Sequence, residues 1–291
     1  MPFAHVNGTS LHYHSTGKGI PIIFIHPPLM TSQTFNYQKA QLSDEFRVIT
    51  FDIRGHGLSN PSERTFTYSL IVEDMRQLMN YLDIKEAYVC GYSTGGSIAL
   101  EALLAYPKQF IGGIIVSGMS EVNDTYNKSR IWLAAQMERN QILHKLLARA
   151  VSIGNADMEL TYQNLYGSAL RGERANAQQY YAYSMRYNCT DRLKYIDQPT
   201  LLIYGQKDTS FSRYAHLLHD KLPNSSLYFI KDAPHQVPIK NPYRMNDLIR
   251  LWVESLNDRE TERVKLDLEI AKKLNPAMYS HDEDIQGLPL Q

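Results

Sequence analysis

Glu86-Ala-Tyr-Val-Cys-Gly-Tyr-Ser-Thr-Gly-Gly-Ser-Ile-Ala-Leu100 is the stretch whose reading decides the fold. Tyr88 to Cys90 reads as a short buried strand, and Ser97 to Tyr106 has the apolar spacing of a helix packed on a sheet. Between them, Gly91-Tyr92-Ser93-Thr94-Gly95 has the G-x-S-x-G form of a strand–turn–helix elbow. At so sharp a turn a Cβ at position 91 or 95 would collide with neighbouring backbone, so both positions call for glycine. Ser93 is left at the tip, beside the first unpaired N–H groups of the helix, where an anion formed in a reaction is stabilised. The bare pattern also fits a glycine-rich connector. A strand before it and a helix after it favour a catalytic serine.

Outward from this elbow the chain alternates. Phe3 to Val6 and Leu11 to Ser15 flank Asn7-Gly8, a strong hairpin signal. Pro21 to Ile25 is an unbroken apolar strand of the kind buried on both faces of a parallel sheet, and it ends in His26-Pro27-Pro28-Leu29-Met30. A helix over 32–42, a strand Phe46 to Phe51, the loop Asp52-Ile-Arg-Gly-His-Gly-Leu-Ser59 and a helix over 68–82 lead back to the elbow. Ile114 to Ser117 is the next strand. From Glu121 to about Gln198 only helical segments are found. Strands and helices then resume at Pro199 to Tyr204, 213–221, Ser226 to Ile230 and 243–256. This pattern predicts an α/β fold with a mainly parallel central sheet flanked by helices. The core would be residues 1–120 and 199–257, and a helical cap at 121–198 would roof the carboxyl ends of the strands, where sites in such sheets lie. Residues 258–291 read as a C-terminal extension. There Val264 to Ile270 fits either an edge strand or a helix, and the segment offers a surface for self-association.

Composition narrows the partners. The 291 residues carry 30 Lys and Arg against 30 Asp and Glu, a net charge of zero, which gives no electrostatic case for nucleic acid or an anionic membrane. No apolar run reaches a bilayer-spanning length, and the N-terminus lacks a basic-then-apolar leader. The two cysteines, Cys90 in a buried strand and Cys189, do not form a disulfide framework, so a soluble cytoplasmic protein is expected. No cluster has metal-ligand spacing and no glycine-rich loop has nucleotide-binding form, so neither metal nor cofactor is expected.

A serine hydroxyl needs a base within reach, itself oriented by a carboxylate, and in sheets of this type these follow in the order Ser, Asp or Glu, His, each just after a strand. Asp208 follows the strand ending at Tyr204, and His235 follows the strand ending at Ile230. Asp232 is the rival carboxylate, placed three residues before the histidine, where it is better suited to shaping the loop. His56 is expected either to buttress the site or to serve a structural turn, and seven other histidines are expected at the surface or in the hairpin. Tyr180, Tyr183 and Tyr187 form one stripe at helical spacing, read either as cap core or as pocket wall.

With the His26 turn, Asp52 to Ser59, the Ser93 elbow, Tyr204-Gly-Gln-Lys-Asp208 and Ala233-Pro-His235 together, the chain resembles the α/β-hydrolase fold superfamily over roughly residues 3–257. Its capped branch, with the cofactor-free haloperoxidase and perhydrolase-type esterases, is the nearest in pattern. The resemblance implies Ser93 as nucleophile, His235 as general base and acid, Asp208 as its orienting carboxylate, and the Thr94 amide as one oxyanion donor. One departure stands out. Related sequences read His-Gly-x-Pro, where x gives the second amide, and here that position is Pro28, which has no N–H. Either the hole then lacks a second donor, or a turn shaped by the two prolines offers the Leu29 amide instead, and the second reading is the expectation. Pro28, Tyr92, Trp132 and Tyr183 are the expected substrate-pocket residues. The leading expectation is a serine hydrolase (carboxylesterase-like) acting on a small ester through an acyl-enzyme. A capped small-molecule binder or sensor, and a cofactor-free lyase or oxygenase using only the His–Asp base, stay open as rivals.

Overall fold

In the computed structural model, which describes residues 2–274, the elbow strand stands at the centre of an eight-stranded sheet. In chain order the elements are β1 (Phe3–Val6), β2 (Thr9–Thr16), β3 (Ile20–Ile25), a 3₁₀ turn (Ser32–Phe35), α1 (Asn36–Gln41), β4 (Phe46–Phe51), α2 (Tyr68–Tyr81), β5 (Ala87–Tyr92), α3 (Thr94–Ala105) and β6 (Phe110–Val116). Four helices follow: α4 (Thr125–Met137), α5 (Gln141–Asn155), α6 (Glu159–Ala169) and α7 (Arg174–Ser184). After a second 3₁₀ turn (Thr190–Tyr195) come β7 (Thr200–Gly205), α8 (Thr209–Lys221), β8 (Ser225–Ile230), α9 (Val237–Lys240) and α10 (Pro242–Leu274).

The strand order is β1-β2-β4-β3-β5-β6-β7-β8. The β1–β2 and β2–β4 pairs are antiparallel and every other pair is parallel. The hairpin turns where Asn7-Gly8 requires it, both residues having positive φ (47° and 71°). Strands β3, β5 and β7 are apolar on both faces because helices cover both, and Ile22 to Ile25, Ala87 to Cys90 and Leu201 to Tyr204 are all buried.

Helices α4 to α7 interrupt the sheet between β6 and β7, which are nonetheless hydrogen-bonded neighbours. The two ends of this insertion are held together by a Glu121–Asn188 bridge and by Cys189 N–H donating to Ser120 O at 3.0 Å. The tyrosine stripe lies where insertion meets sheet. Tyr180 is fully buried and stacked on Phe66 at 4.7 Å, while Tyr183 and Tyr187 pack on Tyr68 at 4.9 and 4.5 Å. Its role is therefore packing. Hydrogen bonds complete the seam: Tyr180 Oη donates to His26 O (3.1 Å), Tyr68 Oη to Ser184 Oγ (2.9 Å) and Thr31 Oγ1 to Ser168 Oγ (2.9 Å).

Two compact units divide the chain, Met1–Asn246 and Asp247–Gln291. The segment read as either edge strand or helix is helical, as part of α10. The tail beyond Leu274 lies outside the described residues. Among the described residues no helix is long and apolar enough to cross a membrane.

Candidate active site

Ser93 joins β5 to α3 at φ 55° and ψ −123°, a conformation that a side-chain-bearing residue adopts only when its surroundings impose it. The surroundings are two glycines. A Cβ on Gly91 would stand 2.2 Å from Gly95 O, and one on Gly95 would stand 2.3 Å from Ile25 O. Ser93 N–H donates to Val116 O (2.9 Å) and Gly96 N–H donates to Ser93 O (2.9 Å), so β6 and the first turn of α3 fix the elbow from both sides.

The loops after β7 and β8 are laced together. Gln206 N–H donates to Ile230 O, and Lys207 N–H to Ala233 O. That lacing sets Asp208 against His235. His235 Nδ1 lies 2.6 Å from Asp208 Oδ2, and its Nε2 lies 3.2 Å from Ser93 Oγ. A carboxylate only accepts, so Nδ1 carries the proton and Nε2 is left as the acceptor for the serine hydroxyl. Ser210 Oγ donates to Asp208 Oδ1 (3.1 Å), the Phe211 ring packs 4.2 Å from the imidazole, and Ser117 Oγ donates to His235 O (3.1 Å). The rival Asp232 points elsewhere: it pairs with Lys207 at 3.1 Å and its side chain is 67% exposed.

The His26 turn is built by its neighbours. His26 Nε2 accepts from Ile53 N–H (2.9 Å) while Nδ1–H donates to Pro27 O (2.9 Å), which fixes the tautomer. Burial lowers its pKa, so the ring stays neutral. Met30 N–H also reaches Pro27 O (3.3 Å), and Leu29 has φ 67°. With Pro28 at the second position and a positive φ at the third, this is the pattern of a type II turn. The Leu29 side chain packs among the inserted helices beside Ala134, Ala148 and Tyr181. Below the turn, burial works to raise the pKa of Asp52, but hydrogen bonds from His12 and from the Leu58 and Ser32 amides outweigh it and hold the carboxyl at about 2. His56 is buried against His26 and Tyr180, and burial drives its pKa down to about 3. It buttresses the turn from inside the fold.

A cavity of about 400 Å³ opens onto Ser93 and His235. Pro28 and Tyr92 stand in its wall, as do Met119, Tyr181, Phe211 and, from α4 and α5, a largely apolar roof. Tyr92 Oη donates to Asn155 Oδ1 (3.1 Å), tying the elbow to the end of α5. Two expected pocket residues are not in this wall. Trp132 is 55% exposed on α4, because its position on the helix turns it to solvent. Tyr183 packs on Tyr68, because its stripe faces the sheet. Tyr181, outside the stripe, is the α7 residue that reaches the cavity, and Asn155 and Phe211 are further wall residues that sequence reasoning missed. His144, expected at the surface, is buried on α5 against Glu138 at 2.7 Å. Among the described residues no group of three or more His, Cys, Asp or Glu could hold a metal ion.

With the geometry in place, comparison with known proteins gives the family. Residues 20–242 match the alpha/beta hydrolase fold family, and the chain belongs to it. Among similar proteins, the non-heme chloroperoxidase of Streptomyces lividans is 27% identical over 271 residues, covering 86% of this chain and 98% of that one. The human (Homo sapiens) serine hydrolase BPHL is 26% identical over 255 residues, covering 84% and 82%. Among solved structures, an esterase from Exiguobacterium antarcticum superposes with a TM-score of 0.78 at 20% identity, covering 87% of this chain and 98% of that chain.

Proposed function

We propose that the protein is a carboxylesterase-like serine hydrolase that cleaves a small ester through a Ser93–His235–Asp208 triad and an acyl-enzyme. The observation that carries this reading is the continuous relay from Asp208 Oδ2 through His235 to Ser93 Oγ at the end of a strained elbow. In this reading, Ser93 Oγ attacks the ester carbonyl carbon as its proton passes to His235 Nε2, and Asp208 stabilises the imidazolium that forms. The imidazolium then protonates the leaving alcohol. Water, deprotonated by the same nitrogen, attacks the acyl-enzyme and releases the acid and Ser93.

The tetrahedral oxygen needs two N–H donors. We assign the amides of Thr94 and Leu29. Neither amide donates to another described residue, which leaves both available to an oxyanion. Tyr181 Oη reaches Pro28 O at 3.5 Å. The N–H of the same planar peptide, that of Leu29, therefore points away from Tyr181. Pro28 then shapes the hole without supplying a donor.

Residues 121–198 act as the cap over a core of 1–120 and 199–257, with 258–291 an extension. Two buried free cysteines fit the reducing cytoplasm. The test is labelling by a fluorophosphonate. Ser93→Ala should abolish both label and turnover, and p-nitrophenyl esters of graded acyl length should show a cut-off set by the cavity. Turnover that survives in Ser93→Ala refutes the mechanism.

A further inference from the structure

Helix α5 is amphipathic in two directions. One face carries His144, Ala148, Ser152 and Asn155 into the cap interior, as a soluble helix should. The opposite face carries Ile142, Leu146 and Ile153, which recur at helical spacing and are 71%, 53% and 56% exposed. Three aliphatic side chains aimed straight at solvent from one helix are not the scattered apolar exposure of an ordinary surface. Between this stripe and the buried face, on one flank, lie Leu147, Ala150, Val151 and Gly154, which line the cavity over Ser93. On the other flank lie Lys145 and Arg149. The stripe therefore borders the entrance to the site.

Charge identifies what covers it. Residues 125–155 contain Lys128, Arg130, Arg139, Lys145 and Arg149, all exposed, and the single acid Glu138, which is buried against His144. None of the five cations is ion-paired among the described residues. A net charge of zero over the whole chain averages this asymmetry away. Arg130 lines the cavity, and a second copy of the chain meeting this face symmetrically would set the other four cations against four, which opposes association. An occupant that is apolar in its depth and anionic at its surface satisfies both features. We propose that α4 and α5 dock on an anionic lipid bilayer, with Ile142, Leu146 and Ile153 entering the headgroup–acyl boundary and the basic residues on the phosphates. The protein lies on the membrane and does not span it. The cavity mouth then faces the lipid phase.

The inference concerns the surface and stands apart from the triad. It is tested with the full chain by co-sedimentation with vesicles of phosphatidylcholine containing phosphatidylglycerol, and of phosphatidylcholine alone. Binding is expected only with phosphatidylglycerol, and it should weaken roughly ten-fold or more as salt rises and the cations are screened. The triple change Ile142→Ser, Leu146→Ser, Ile153→Ser touches only exposed positions away from the cavity. It should lower binding at least about ten-fold and leave hydrolysis of a water-soluble ester within about two-fold of the parent. Lys145→Glu with Arg149→Glu should do the same. Three results overturn the proposal: no vesicle binding at low salt, binding unchanged in the triple variant, or a dimer on size exclusion that the triple variant dissolves while vesicles are ignored.

Discussion

Replacing Gly95 by alanine puts the elbow to its sharpest test. The new Cβ would lie 2.3 Å from Ile25 O, 3.0 Å from Ile25 C and 3.3 Å from His26 O. Every one of these partners is backbone, so no side chain can rotate out of the way. Non-bonded heavy atoms settle at roughly 3.5 Å, so the start of α3 and the end of β3 must part by about 1 Å. The movement falls between the amides of Thr94 and Leu29 and shifts Ser93 against His235. A misplacement of that size costs about 10²-fold in rate, and forced overpacking costs about 1–3 kcal/mol. The expected outcome is a hundred-fold loss of kcat on p-nitrophenyl acetate, with KM changed far less and a lower Tm. Gly167→Ala is the control. It sits inside α6 with nothing within 4 Å of its added Cβ, and it should gain roughly 0.5–1 kcal/mol in stability with kcat unchanged. A Gly95→Ala enzyme with full kcat and parental Tm refutes the argument that backbone contact at this position holds the site together.

Asp208→Asn should lower kcat by about 10⁴ while the protein stays folded, since the imidazole would hold the wrong tautomer; Asp232→Asn, at an exposed ion pair, should leave it nearly unchanged, and the reverse pattern would reassign the carboxylate. His56, with a folded pKa of about 3 against roughly 6.5 unfolded, contributes stability that is complete above the unfolded value and lost as pH falls toward the folded one. Between pH 7 and pH 5 this amounts to about 2 kcal/mol, with His26 adding to it and Asp52 adding below its unfolded value, so urea midpoints that do not move between those pH values would rule out a buried neutral ring. Tyr181→Ala should change acyl-length preference on soluble esters, and Trp132→Ala should not; the opposite result would move the pocket wall to the outer face of α4.

The sequence made the elbow legible because its cause is local. Two glycines, a serine between them, a strand before and a helix after are all within one short stretch, and the same holds for Asn7-Gly8. The positions of Asp208 and His235 were readable because each follows an apolar run directly. The cap was harder. Spacing put Tyr180, Tyr183 and Tyr187 on one stripe, but α7 ends at Ser184, before Tyr187, and helical periodicity carries no information on which neighbour such a stripe meets. It meets Tyr68 and Phe66, so Tyr183 went to the seam and Tyr181, one position off the stripe, went to the cavity. Trp132 was misplaced for a related reason: a large aromatic suggests burial, but its helix turns it outward. The geometry of Pro28 and Leu29 was accessible in outline, since two prolines constrain the turn, while the buried His56 ring that packs on His26 behind it comes from the loop after β4.

The insertion leaves the sheet at Val116 and re-enters it at Thr200, on strands that lie side by side with Gly113 opposite Thr200 and Val116 opposite Ile203. Because these strands are parallel the chain crosses from one edge of the sheet to the other, but the ends of the helical block meet, with Cys189 N–H on Ser120 O, and the closure of this detour is cheap to alter: doubling the length of such a loop costs only about 0.6 kcal/mol. Strand order, the elbow and the Asp208–His235 loops make no demand on how many residues the detour contains. The lineage of this chain could therefore exchange one insertion for another, lengthen it or give it a new outer face, while Ser93, Asp208 and His235 stayed where they are. Selectivity and surface allegiance are free to drift at those residues of the detour that do not hold the His26 turn or the elbow, as Tyr180, Tyr181 and Asn155 do.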